Sequence, residues 1–319
     1  MNLRGIDFGH VFCASGARNF DGNGWPFHKA LKAFGLLNFA GSGLVTKTTT
    51  LDPRVGNMPL MPDGLTPWEL KPKCIVVKPL QGVVLNSVGL SGPGAHSLLA
   101  QGFWQSQTRP FFISFMSATG TPVLRQRELH EFAELLRAAL PEFKAPVGLQ
   151  INVSCPNTGH AVGPMIDEIV SYLGIAGSLG IPIVIKLNAL TPISALFGFM
   201  NHPACDAIDC SNSITFGQCP KRINWKGLFG SDRSPLAHLG GGGLSGAPLL
   251  PIVCDWIKEA RAAGWTKPIV GCGGILSKAD ADAMLKAGAT ALEIGSCVIL
   301  RPWRVQGIIH HVNHHLGGK

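Results

Sequence analysis

Eight short apolar runs recur along this chain, and longer segments with helical spacing lie between most of them. The runs cover residues 11–14, 43–47, 110–115, 148–153, 183–187, 207–210, 269–272 and 291–295. Several are continuously apolar rather than alternating, which marks strands covered on both faces, hence parallel ones. The segment 122–140 opens with Pro122 and carries Leu, Phe and Ala at three- and four-residue spacing. Residues 248–263 have Pro248 at their start and Gly264 just beyond their end. Residues 277–287 open with a serine N-cap and close before Gly288, and 301–316 read as a final helix. Strands alternating with helices in this number predict a closed (β/α)8 TIM barrel, with an open doubly wound sheet as the competitor. No linker, repeat or composition break divides the chain, so residues 1–319 are read as one domain. Two stretches, 48–85 and 213–247, are too long for ordinary strand-to-helix loops and are expected to build an active-site face.

Composition narrows the class. Hydrophobic residues make up 46% and charged ones 14%, which excludes a disordered chain. The formal charge of +8 is scattered and forms no basic arm, so the expectation is a handler of small anions and not of nucleic acid. Nine cysteines form no CxxC pair, and several sit in apolar runs as buried free thiols do. The opening MNLRGIDFGH lacks a signal-peptide core, and no run is long and apolar enough to span a membrane. These features predict a cytoplasmic protein with no membrane partner.

The segment Ile151-Asn-Val-Ser-Cys-Pro-Asn-Thr158 carries the most chemistry. A strand ends near Val153, so the polar residues after it fall at the C-terminal mouth of the barrel. Asn152 and Asn157 each offer donors and an acceptor, which suits an imide- or amide-bearing ring. Cys155, stiffened by the following proline, is a nucleophile or a general base.

This segment resembles the Asn-x-Ser-Cys/Ser-Pro-Asn signature of dihydroorotate dehydrogenases. Further pieces resemble the same family in the same order. They are Leu44-Val-Thr-Lys-Thr-Thr-Thr-Leu51 with Arg54 and Gly56-Asn57, Leu85-Asn-Ser-Val-Gly-Leu90, Ile183-Val-Ile-Lys-Leu187, Ser211-Asn-Ser-Ile214, Gly241-Gly-Gly-Leu-Ser-Gly246, Gly271-Cys-Gly-Gly-Ile275 and Leu292-Glu-Ile-Gly-Ser296. The resemblance implies an FMN-dependent barrel enzyme that oxidises dihydroorotate to orotate in pyrimidine biosynthesis. It implies Cys155 as the base that removes the C5 proton while hydride passes from C6 to flavin N5. A cysteine base resembles class 1, the soluble enzymes.

Position by position, the resemblance implies Lys47 near flavin and substrate carboxylate, and Asn86, Asn152, Asn157, Asn212 and Ser213 around the substrate ring. Lys186 resembles the lysine at the flavin pyrimidine edge. Ala14-Ser15-Gly16 resembles a flavin-contacting turn. Gly273-Gly274 after the seventh strand and Gly295-Ser296 after the eighth form an expected phosphate cradle, joined by Gly246. With no GxGxxG fingerprint after the first strand, these glycines point to FMN and not a dinucleotide. Nothing here binds NAD or an iron–sulfur cluster, so NAD-linked turnover implies an iron–sulfur flavoprotein partner subunit; fumarate and quinone are the other acceptors compatible with the family. A homodimer is the family expectation. Competing readings are another FMN-barrel oxidoreductase, such as a dihydropyrimidine-type reductase, and a non-enzymatic flavin-binding barrel. Cysteines 205, 210 and 219 are read as structural. Histidines 310, 311, 314 and 315 are read as a polar helix end and not a zinc site.

Overall fold

The computed structural model describes residues 1–154 and 167–317. Eight parallel strands, labelled here in chain order, form its centre: β1 (Val11–Cys13), β2 (Gly43–Leu44), β3 (Phe111–Phe115), β4 (Val147–Asn152), β5 (Ile183–Leu187), β6 (Ala207–Cys210), β7 (Ile269–Cys272) and β8 (Ala291–Ile294). They hydrogen-bond in the order β2-β1-β8-β7-β6-β5-β4-β3. Parallel bridges Val45↔Phe112 and Thr49↔Phe115 join the two ends of that row, so the sheet closes into the (β/α)8 barrel. All eight expected strands are present. The second is shorter than its apolar run, because the chain beyond Leu44 pairs only through those two bridges.

The continuous apolarity of the strands has two separate causes, one for each face. The residues of one set, among them Val11, Ile113, Leu149, Ile185, Ile208, Ile269 and Leu292, belong to a large core with the helices. The alternate set points into the barrel. At its lower level Phe12, Val45, Phe112, Val184, Ala207, Val270 and Ala291 pack with Met1, Leu3 and Phe8. The last three come from an N-terminal hairpin, Asn2–Leu3 against Ile6–Asp7, whose Phe8 ring stacks on Phe112 at 4.3 Å. This hairpin stoppers the barrel's lower end. Two residues further along β4, β5, β6 and β8 the inward positions turn polar: Gln150, Lys186, Asp209 and Glu293, all buried.

The expected helices form at Pro122–Ala139, Leu249–Ala262 and Lys278–Lys286, the first capped by Thr121 and the last by Ser277. The final one begins at Val305, after a 3-10 turn at Pro302–Arg304, because Pro302 cannot sit deeper in a helix. The two long stretches are not simple loops. They contribute Ile75–Lys78, Val83–Asn86, Ile214–Thr215 and Gly243–Gly246 to a four-stranded antiparallel sheet. Its register sets Asn86 opposite Gly243 and Ile75. Among the described residues, no helix is long and apolar enough to cross a membrane.

Candidate active site

A cavity of about 310 Å³ opens at the C-terminal ends of the barrel strands. That is the end at which (β/α)8 enzymes assemble their sites, and the volume falls at the lower end of the range for small-molecule pockets. Its lining draws on the exits of the barrel strands and on the antiparallel sheet, which supplies Ile75, Val84, Asn86, Ser245 and Gly246. The cavity brings together Ala14, Ser15, Gly16, Lys47, Asn86, Asn152, Lys186, Asn212, Ser213, Gly246, Gly273, Gly274, Gly295 and Ser296. Cys155 and Asn157 lie outside the described residues.

The polar groups are already engaged with one another. Asn212 Nδ2 donates to Asn152 Oδ1 at 3.0 Å, and the backbone N–H of Ser213 donates to Asn212 Oδ1 at 2.9 Å. These two amides therefore hold each other in position at the cavity wall. Asn152 Nδ2 lies 3.4 Å from Thr48 Oγ1, which in turn contacts Ser15 Oγ at 2.8 Å and Ser114 Oγ at 2.9 Å. This hydroxyl chain went unrecognised in the sequence, although the run Lys47-Thr48-Thr49-Thr50 was its signal. Lys47 is buried, donates to the Ser91 carbonyl and sits 4.7 Å from the centre of the Phe20 ring.

Below the cavity lies a buried ionic cluster. Lys186 Nζ contacts Asp209 Oδ2 at 2.5 Å and Glu293 Oε2 at 2.8 Å. Gln150 Nε2 donates to Asp209 Oδ2 at 3.1 Å and to Glu293 Oε1 at 2.7 Å. The β5–β6 register sets Lys186 directly beside Asp209. Burial opposes the lysine's charge, but Asp209 and Glu293 outweigh it and hold the ammonium well above its ordinary pKa. Burial, reinforced by Glu293, pushes the Asp209 carboxyl up to about 8. Lys186 and Glu293 both reach the cavity wall.

The glycines act through space as well as conformation. A Cβ on Gly246, where φ is +113°, would lie 2.1 Å from the Gly82 carbonyl oxygen. On Gly274, at φ +76°, it would lie 2.6 Å from the Leu250 nitrogen. Only glycine permits this bare backbone lining. Trp25, Phe27, Leu70 and Ile299 add an apolar mouth that sequence reasoning missed, since isolated apolar residues in loops carry no pattern.

The family model for dihydroorotate dehydrogenase matches residues 2–316. The chain belongs to the dihydroorotate dehydrogenase family. It is 33% identical over 268 residues to the dihydroorotate dehydrogenase A (fumarate) of Lacticaseibacillus paracasei, covering 82% of this chain and 80% of the relative. It is 28% identical over 283 residues to the catalytic subunit of dihydroorotate dehydrogenase B (NAD(+)) of Geotalea daltonii, covering 86% and 80%. These likenesses put it in class 1 of the family and make it an oxidoreductase. The crystal structure of the Eimeria tenella family member in complex with ferulenol shares the fold, with a TM-score of 0.70, 17% identity, and coverage of 99% of this chain and 84% of that one.

Among the described residues, the His, Cys, Asp and Glu side chains close enough to share a metal ion are Asp209, Cys272 and Glu293, and Lys186 Nζ already sits against both carboxylates. Cys205 and Cys210 are buried, with the Cys205 thiol 3.7 Å from the Ala207 carbonyl. On the last helix His311 Nε2 lies 2.6 Å from Asp282 Oδ1.

Proposed function

We propose that this protein is an FMN-dependent, cytoplasmic dihydroorotate dehydrogenase acting in pyrimidine biosynthesis. The observation that carries the reading is the convergence of the bare-backbone glycines after β7 and β8, the amide pair Asn152–Asn212 and two buried lysines on one cavity. This donor set fits FMN. Backbone at Gly246, Gly273, Gly274 and Gly295, with no Cβ to keep it away, and at Ser296, whose hydroxyl can add a donor, would hold the phosphate. Asn152 and Lys186 would face the ring's polar edge, with Ala14, Ser15 and Gly16 beside it. When bound, FMN supplies the acceptor for the two electrons that leave C6 of the substrate.

The chain's own groups do the rest. Lys47 offers fixed positive charge to the substrate carboxylate. Asn86, Asn152, Asn157, Asn212 and Ser213 select a ring with alternating N–H and C=O groups, because an analogue that leaves them unpaired loses binding. The Asn152–Asn212 bond holds two of these amides in place ahead of binding, which lowers the cost of ordering them. Cys155 removes the C5 proton. An ordinary thiol has a pKa of about 8.5, so its rate rises into the alkaline range. The acceptors named for the relatives above, fumarate and NAD(+), are the first to assay, the latter with an iron–sulfur flavoprotein partner; a homodimer is the expected stand-alone form.

The test is an anaerobic stopped-flow half-reaction. Dihydroorotate should bleach the flavin of the wild type, and Cys155→Ala should slow that bleaching by about 10²–10⁴-fold, the usual worth of a general base. Equal rates would remove Cys155 from its role. A bound flavin that dihydroorotate leaves oxidised would point to a different dihydropyrimidine substrate.

A further inference from the structure

The cluster of Gln150, Lys186, Asp209 and Glu293 is unbalanced in two ways. Its charge count is one ammonium against two carboxylates, all buried on the inner face of the barrel. A net negative charge in such a place is strongly penalised unless a proton or a second cation cancels it. Its hydrogen bonds are also short of a donor, since Asp209 Oδ1 and Gln150 Oε1 are both buried without a partner among the described residues. One added proton on the carboxylate pair cancels the excess charge and supplies a donor where donors are short.

Among the described residues, the neighbouring groups do not offer another source of balance. From β7 the Cys272 thiol faces the cluster, on β6 Cys210 flanks Asp209, and from β1 Cys13 is near enough to feel Glu293; burial pushes all three thiols up, so they stay neutral. Ser114 on β3 is uncharged, and Lys47, beyond β2, is directed to the Ser91 carbonyl. Lys186 is the cation in direct contact with the pair.

We propose that Asp209, set beside Glu293 on the same lysine, holds one exchangeable proton beneath the cavity, and that it binds this proton more tightly whenever negative charge accumulates above Lys186. The proposal rests on the reading of the cavity as a flavin site. It makes the pair a charge-compensating element and not only a structural ion pair. Its physical basis is simple: a like charge nearby disfavours ionisation of a carboxyl, and here Lys186 and Glu293 both form part of the cavity wall. Near pH 7 the pair keeps its proton whether or not the cavity is charged. Above about pH 8, where Asp209 would otherwise release it, added negative charge draws the proton back. Two electrons and one proton then enter the cavity from the reductant. A second proton comes from bulk solvent and forms an O–H bond on the pair, and nothing leaves.

A redox titration of the full-length, flavin-loaded protein across this pH range reads that second proton directly. Below about pH 8 the midpoint potential should fall by one proton per two electrons, a tenfold change per pH unit or about 29.6 mV for a two-electron couple. Above it the slope should double in the wild type. In D209N, and equally in E293Q, a single carboxylate faces the lysine, and the slope should stay undivided throughout. The reduced-minus-oxidised infrared spectrum taken above the break should show a gained carboxylic-acid band in the wild type that D209N lacks. A wild-type slope without a break overturns the proposal, and so does a break that persists in D209N, since it then belongs to another group. Should D209N not fold, E293Q and the wild-type slope still decide. A protein that holds no flavin overturns the reading of the cavity and this inference together, whereas bound flavin with an undivided slope overturns only the inference.

Discussion

Replacing Arg125 with methionine tests whether the start of the helix Ile169–Gly177 is anchored by a buried charge. Arg125, on the helix Pro122–Ala139, is 3% exposed and binds Glu168 through two nitrogens, with Nε at 3.1 Å from Oε2. Its remaining nitrogen donates to the carbonyls of Thr119 and Gly120 at 3.2 Å each. Glu168 also accepts from the Tyr172 hydroxyl at 2.7 Å, and it is 5% exposed. Methionine fills much of the arginine's volume, so the loss is mainly electrostatic. An uncompensated carboxylate in such a site costs about 3–5 kcal/mol. With an unfolding entropy of about 2.1 cal/mol/K per residue, that loss lowers Tm by about 4–8 °C in a chain of this length. The assay is thermal unfolding in flavin-saturated protein, so that ligand linkage is the same for every variant. The double variant Arg125→Met with Glu168→Gln should recover most of the loss, because the penalty comes from leaving one charge alone. A single variant within about 1 °C of wild type, or a double variant no better than the single, would refute the reasoning.

Two other perturbations probe separate parts of the molecule. Gly246→Ala places a methyl 2.1 Å from the Gly82 carbonyl oxygen, so the strand beside it must shift. Strain of about 1–3 kcal/mol at the cavity wall predicts flavin binding about 5- to 150-fold weaker by fluorescence titration, and unchanged affinity would contradict the cradle. Burial, helped by the charges of Lys32 and Arg18, lowers the His28 pKa to about 4, and its Nε2 has no partner among the described residues. A histidine with a folded pKa below its unfolded value contributes stability that is complete above about pH 6.5 and lost as pH falls toward about 4. His28→Phe should therefore flatten the acid limb of a Tm-versus-pH curve; an equally steep limb would assign the acid sensitivity elsewhere.

The barrel was legible because its outward strand positions are uniformly apolar, from Val11 to Leu292, and parallel strands advertise that burial directly. The cavity was legible because glycine pairs and amides recur at strand ends. The antiparallel sheet was not. Its strands are two to four residues long, and Gly243–Gly246 has almost no side chains to show a period. The inner polar layer was half visible. A charged residue inside an apolar strand, as in Ala-Ile-Asp-Cys or Ala-Leu-Glu-Ile, signals an inward position with a partner, but the partner is fixed by register across strands far apart in sequence. The mutual bond of Asn152 and Asn212 was hidden for the same reason.

The hairpin of Met1, Leu3 and Phe8 turns the barrel from a tube into a cup. Among the described residues, solvent then meets the Asp209–Glu293 pair from the rim and not from below. Whatever occupies the cup also controls how fast those carboxyls trade protons with water, so the same molecule that sets their charge would set the pace at which that charge can change.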